Sequence, residues 1–248
     1  MRVCSLMGAV VLCLASGAAT ALSGPEILAL HEKAMGGEAA ISALQSVKLS
    51  GKLIITNANV TLATTEVRAR PLLLRSEASI QGLTGVQAYD GQQAWKIEPW
   101  QGRKDPERMS DDDAKELIDQ ADMDGPLLHP AAGDRISYAG LEDVDGDAAH
   151  KFVVSHANGD VATVYLDPSA YLIIRIRTRR NVRGAEVVSE TDYGSYTQVA
   201  GVWMPFSSEQ GTPGAPKTVK QIIEKAEANI APTASSFAFP GVAATTIH

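Results

Sequence analysis

The sequence predicts a mainly β chain of about ten antiparallel strands with a few short helices. Residues 150–179 hold three runs rich in β-branched and aromatic residues, broken by Asn158-Gly159-Asp160 and Asp167-Pro168-Ser169. That is the pattern of an antiparallel meander. In its third run Leu172, Ile174 and Ile176 alternate with Arg175, Arg177 and Arg179, so one face of the sheet is expected to be dry and the other wet. The same period-two alternation, with turn residues between runs, extends from residue 47 to residue 226.

Taken in order, Ser23 caps a helix with Pro25 and Glu26 in its first turn, and Gly36-Gly37 ends it. A second short helix is expected over 38–44. Strands follow over 47–55, 60–70 and 71–80, then a hairpin of 82–89 and 92–98 about Asp90-Gly91. A polar interruption comes next. In it Ser110 and Asp113 form a capping box, and three aspartates load the positive end of a short surface helix over 111–121. Sheet is expected again at 135–139, through the meander, and over 185–196, 202–209 and 217–226.

Residues 1–21 are set aside as a secretory signal. Arg2 is its positive start, 3–16 is apolar, and Ala19-Thr20-Ala21 is a cleavage site, with 22–248 expected as one domain. Both cysteines, Cys4 and Cys13, fall inside the signal. The exported chain is therefore expected to have no disulfide, thiol nucleophile or cysteine-bound metal. Loss of Arg2 takes the net charge from −7 to −8, which argues against nucleic acid and anionic lipid surfaces as partners.

Little in the chain looks catalytic. His31, His129, His150, His156 and His248 show no metal spacing, and His150 and His156 would stand about 20 Å apart on one strand. There is no Gly-x-Ser-x-Gly elbow and no phosphate loop. Asp111-Asp112-Asp113 lacks the alternation and glycine of a calcium loop. Arg175, Arg177 and Arg179 are first an exposed face that keeps the strand soluble, with docking of an acidic partner as the alternative. Trp95, Trp100 and Trp203 are read first as core or rim packing, with a cavity mouth at the hairpin end that Trp95 and Trp100 flank as the alternative.

Several phrases together resemble one family. They include Met35-Gly-Gly-Glu-Ala-Ala-Ile-Ser-Ala-Leu44, Ser46-Val-Lys-Leu-Ser-Gly51, Tyr89-Asp-Gly-Gln-Gln-Ala-Trp95 and Ala121-Asp-Met-Asp-Gly-Pro-Leu-Leu128. Tyr165-Leu-Asp-Pro168, Asp192-Tyr193, Gly201-Val-Trp-Met-Pro205 and Phe237-Ala-Phe-Pro240 complete the order. The series is similar to the LolA-like outer-membrane lipoprotein-sorting proteins, as a divergent branch. The resemblance implies a strongly curved, unclosed antiparallel β-barrel of ten to eleven strands, with short lid helices over a hydrophobic cavity.

It further implies a periplasmic carrier that holds acyl chains of a lipid or lipoprotein for transfer to the outer membrane. No enzyme activity and no cofactor are expected. A monomer is expected, with a membrane protein of the inner or outer membrane as a further partner. The alternative is a sensory or regulatory binding module of the same fold. The cavity is expected to be lined by Leu53, Ile55, Leu74, Trp95 and Leu117. Phe152, Val154, Leu172, Ile174 and Ile176 are expected to complete it.

Overall fold

Ser23 opens the first helix, α1 (Gly24–Met35), and the Glu26 carboxylate accepts hydrogen bonds from its backbone N–H and its hydroxyl, both at 2.7 Å. Those bonds hold the Glu26 carboxyl below its ordinary range. Gly36 ends α1 at φ 128°, where a side chain would strike the Gly201 carbonyl. The computed structural model describes residues 22–241. The signal expected over 1–21 lies outside the described residues.

After α2 (Glu38–Ala43) the chain enters β1 (Ser46–Ile55), β2 (Val60–Ala69), β3 (Leu73–Ile80), β4 (Leu83–Tyr89), β5 (Ala94–Glu98) and β6 (Arg103–Arg108). Helix α3 (Asp111–Ala121) follows, then β7 (Arg135–Val144), β8 (Asp147–Ser155), β9 (Val161–Leu166) and β10 (Ile173–Val182). The last strands are β11 (Ala185–Val199), β12 (Val202–Gly211) and β13 (Val219–Ala228).

All of them form one 13-stranded antiparallel sheet in the order β6-β5-β4-β3-β2-β1-β13-β12-β11-β10-β9-β8-β7. The expected ten to eleven strands become thirteen: the ranges read from the sequence already make twelve, and β6 adds one. Strand β6, Arg-Lys-Asp-Pro-Glu-Arg, has no apolar alternation to reveal it. Strand β7 runs past its Gly140 irregularity to the turn at Asp145-Gly146 instead of stopping at residue 139. These two strands are the sheet edges. Charge and Pro106 blunt one of them, and a break in register blunts the other.

This strand order forces the covering of the sheet. Because β6 and β7 lie at opposite edges, residues 109–134 must cross from one edge to the other, and α3 is in that crossing. Its apolar stripe, Ala114, Leu117 and Ala121, is buried against Leu74 and Ala94. Helix α1 covers the other half, with Ile27 packed among Phe152, Val154 and Val164, and Leu127 of the crossing joins them. Met35, Ile41 and Leu44 close one end over Val47, Leu49, Val202 and Met204. Burying each such side chain stabilises by roughly 1.5–3 kcal/mol. On the outer face the tail returns to cover Trp95, whose Nε1 donates to the Phe237 carbonyl at 2.7 Å, while Phe239 packs edge-on against the indole.

Candidate functional site: a cavity beneath the crossing segment

Between α3, residues 122–134 and the inner face of the sheet lies a cavity of about 1020 Å³. That is at the upper end of what encloses a small organic ligand. Leu49, Leu53, Ile176, Met204, Phe206 and Ile223 line one part of it. Along four adjacent strands the inward residues then turn polar together. On β10 Ile176 gives way to Thr178 and Arg180, and on β11 Tyr193 gives way to Thr191 and Ser189. On β12 Phe206 is followed by Ser208 and Gln210, and on β13 Gln221 stands between Val219 and Ile223. Register joins these into a band, with Thr178 beside Ser189, Thr191 beside Gln210 and Ser208 beside Gln221. On the opposite wall Ser76 stands between Glu66 and Gln87.

The charged groups of the cavity are largely paired. Buried Glu66 binds Arg68 at 2.5 Å, and Asp119 of α3 binds Arg180 of β10 at 2.5 Å. At the rim, Asp124 accepts a two-pronged bond from Arg70 (2.5 and 2.7 Å) and one contact from His129 (2.9 Å). Burial pushes the Asp124 carboxyl up, but the bonds from Arg70 and His129 outweigh it and leave it lowered. The same contact raises His129. Asp122 goes the other way, because its burial dominates. The aspartates at the start of α3 bind the β10–β11 turn: Asp112 accepts from the Arg183 backbone at 3.0 Å, and Asp113 pairs with the Arg183 guanidinium. Lys115 reaches the Asn181 carbonyl at 2.7 Å. Helix α3 is thus anchored by apolar packing on β3 and β5 and by ion pairs to β10 and the turn that follows it.

The ten residues expected to line the cavity fall into distinct places. Leu53 and Ile176 line it. Ile55 is on the Leu53 side of β1, half-buried, near the strand end. Leu74 and Leu117 join sheet to α3, and Phe152 and Val154 lie under α1, so these four are packed core on the inner face. Leu172 packs with the α2 cluster.

Two expectations are corrected. Leu172, Ile174 and Ile176 do not share one face, because β10 has a bulge between Ile173 and Arg175 against β9. Ile173 and Ile176 turn inward, and Ile174 lines an outer hollow with Arg175, Asp145 and Asp192. Trp95 also lies on the outer face, beneath Phe237 and Phe239. Trp100 rests over Gly85 and is 46 % exposed, so the two tryptophans frame no common mouth.

The outer arginines are matched within the sheet. Arg175 binds Asp192 at 2.5 Å and Asp145 at 2.7 Å, Arg177 binds Glu190 at 2.7 Å, and Arg179 reaches Glu186 at 3.3 Å. Lys217 adds a second cation to buried Glu190 at 2.5 Å. Burial pushes the Glu190 carboxyl up, and its bonds with Lys217 and Arg177 bring it below the ordinary range. These are cross-strand pairs, not a cationic surface awaiting a partner.

The histidines have local partners too. His31 Nδ1 is 2.7 Å from the Tyr171 carbonyl, His150 is 2.9 Å from the Tyr138 hydroxyl, and His156 is 2.7 Å from Asp134. Among the described residues no three potential metal-binding side chains cluster. The polar band escaped the sequence reading, which assigned polar alternate residues to solvent. Its signal is present in Phe206-Ser-Ser-Glu-Gln-Gly211, where polarity spreads to both faces of one strand.

No protein-family model matches the sequence, and no curated protein does. Solved structures do match its fold. An outer membrane lipoprotein-sorting protein domain from Vibrio parahaemolyticus is similar at TM-score 0.56 and 10 % identity, covering 85 % of this chain and 95 % of that one. A LolA superfamily protein from Nitrosomonas europaea is similar at TM-score 0.56 and 11 % identity, over 88 % of this chain and 98 % of its own. A DUF1329 family protein from Desulfovibrio piger matches at TM-score 0.55 and 11 % identity, over 86 % and 95 % of the two chains. Strand order, covering helices and these likenesses agree: the chain has the unclosed, curved β-barrel fold of LolA-superfamily and lipoprotein-sorting proteins.

Proposed function

We propose that this protein is a binding protein of the bacterial periplasm, exported through residues 1–21, that carries a lipid in the cavity beneath α3. The observation that carries the reading is the cavity itself, about 1020 Å³ with an apolar wall of Leu49, Leu53, Ile176, Met204, Phe206 and Ile223. An acyl chain of some fourteen carbons laid on that wall gains about 0.8 kcal/mol per methylene, on the order of 10 kcal/mol before the costs of association. The fold neighbour from Vibrio parahaemolyticus is named for lipoprotein sorting, which is consistent with the cargo class. Residues 22–248 act as one unit in this reading, with α3 as the lid.

Native mass spectrometry of protein recovered from the periplasm tests it. Lipid mass retained on the folded chain is the expected result. A bare protein that also takes up no added acyl probe overturns the carrier role.

A further inference from the structure

We infer that the cargo is a free amphiphile with an uncharged, polyhydroxylated head, such as a glycosylated lipid, bound with its head inside the cavity. The inference rests on the carrier reading above and concerns which lipid the cavity takes. The apolar residues do not have the space to themselves. Among them stand Thr191, Ser208 and Gln221 on one wall and Thr64, Ser76 and Gln87 on the other. Six hydroxyl and amide side chains facing a cavity are poor company for a hydrocarbon, since each loses water on contact with methylenes and gains nothing in return. Against a sugar they supply donors and acceptors in the mixed pattern that hydroxyl groups match.

Charge selects further. Arg68 and Arg180, which line this space, are paired with Glu66 and Asp119, and Arg70 at the rim with Asp124, which leaves the Arg180 Nε–H without a partner among the described residues. Glu116, which also faces the cavity, accepts from Gln210 Nε2 at 2.9 Å, a neutral donor. A carboxylate or phosphate head would therefore meet Glu116 with the guanidinium charges already balanced, and an ammonium head would meet Arg68 and Arg180. A neutral head avoids both costs, and its hydroxyl oxygens can accept from the Arg180 Nε–H. A head seated inside also separates this cargo from an acyl chain fixed to a protein, whose polar part has to remain outside the barrel.

The test is calorimetric titration of the signal-free chain with three amphiphiles of one chain length, each below its micelle concentration. These are decyl glucoside, decanoate and decyltrimethylammonium, with decanol as a reference. The expected order places decyl glucoside about tenfold tighter than either charged probe. In Ser208→Ala with Gln221→Leu, the glucoside-to-decanol affinity ratio is expected to fall about tenfold. Thr64→Val gives a second reading of that ratio should the double variant fold poorly. Decanoate or the ammonium probe binding as tightly as the glucoside overturns the inference and leaves the carrier role standing, as does a ratio unmoved in a folded variant. If no probe binds the folded chain, the carrier role falls and this inference with it.

Discussion

Asp119 of α3 and Arg180 of β10 meet at 2.5 Å across the cavity, the arginine side chain only 11 % exposed and the aspartate 50 %. The pair ties the covering helix to a strand that its apolar stripe does not reach. Asp119→Asn leaves a guanidinium largely out of water without its anion. The cost is on the order of 1–2 kcal/mol, tempered by the exposure of the aspartate. In the native protein the α3 amides are expected to exchange with deuterium faster than those of Val161–Leu166, because the stripe holding α3 is narrow. In Asp119→Asn they are expected to exchange roughly tenfold faster still, with β9 unchanged. Equal protection of both segments in the native protein would show that α3 is core and not a lid.

Ile174 and Ile176 are two residues apart and face opposite sides. Ile176→Asp is expected to abolish binding of fluorescent acyl probes while keeping most of the apo protein's thermal stability, since the charge faces a cavity that water can enter. In a packed core the same charge would be an unpaired buried ion and would unfold the chain. Ile174→Ser is expected to leave probe binding within about twofold. Loss of binding in both would place the ligand elsewhere.

His31 is fully buried on α1, with Nδ1 on the Tyr171 carbonyl and Nε2 without a partner among the described residues. Burial pushes its pKa down, and the bond to Tyr171 only partly opposes this. The folded value therefore lies below the unfolded one of about 6.5. Stability from the neutral ring is fully present above about pH 6.5 and is lost as pH falls through the folded value. Urea midpoints measured at pH 7 and pH 5 are expected to drop more in the native protein than in His31→Leu. Identical pH slopes in the two would assign the loss to other groups.

Phe237 is 1 % exposed, and its carbonyl accepts a hydrogen bond from the Trp95 indole N–H. Phe237→Ala is expected to destabilise by about 3–5 kcal/mol. The intrinsic affinity of the folded fraction for an acyl probe should stay the same, because this packing is on the outer face. Thermal melts and probe titration at low temperature separate the two effects. An affinity change in the folded fraction would show that the tail communicates with the cavity.

The helices were legible because their ends are chemical: Ser23 and Ser110 cap them, and Gly36 stops α1. Most strands were legible from alternation, and the expected unclosed barrel is the fold observed. What escaped depended on distant chain. The face of Trp95 is fixed by a tail residue 142 positions away. The bulge that turns Ile174 outward follows Tyr171 at φ 56°, a turn geometry that Tyr-Leu-Ile-Ile does not announce. Strand β6 is an edge with little to bury, so the signal that marks other strands is missing from it.

The placement of β6 and β7 at the two margins of the sheet has a mechanical meaning. A closed barrel changes its girth only by breaking ladder hydrogen bonds or shifting their register, which a folded chain resists. Here the seam is spanned by α3, with hydrocarbon contact on one side and ion pairs on the other. Opening the seam trades bonds such as Asp119–Arg180 for water, which solvates the freed charges well. The vessel is accordingly stiff along its wall and compliant at its seam. Under the proposed carrier role, cargo of different thickness would enter at the expense of the helix, with the thirteen-stranded ladder left intact.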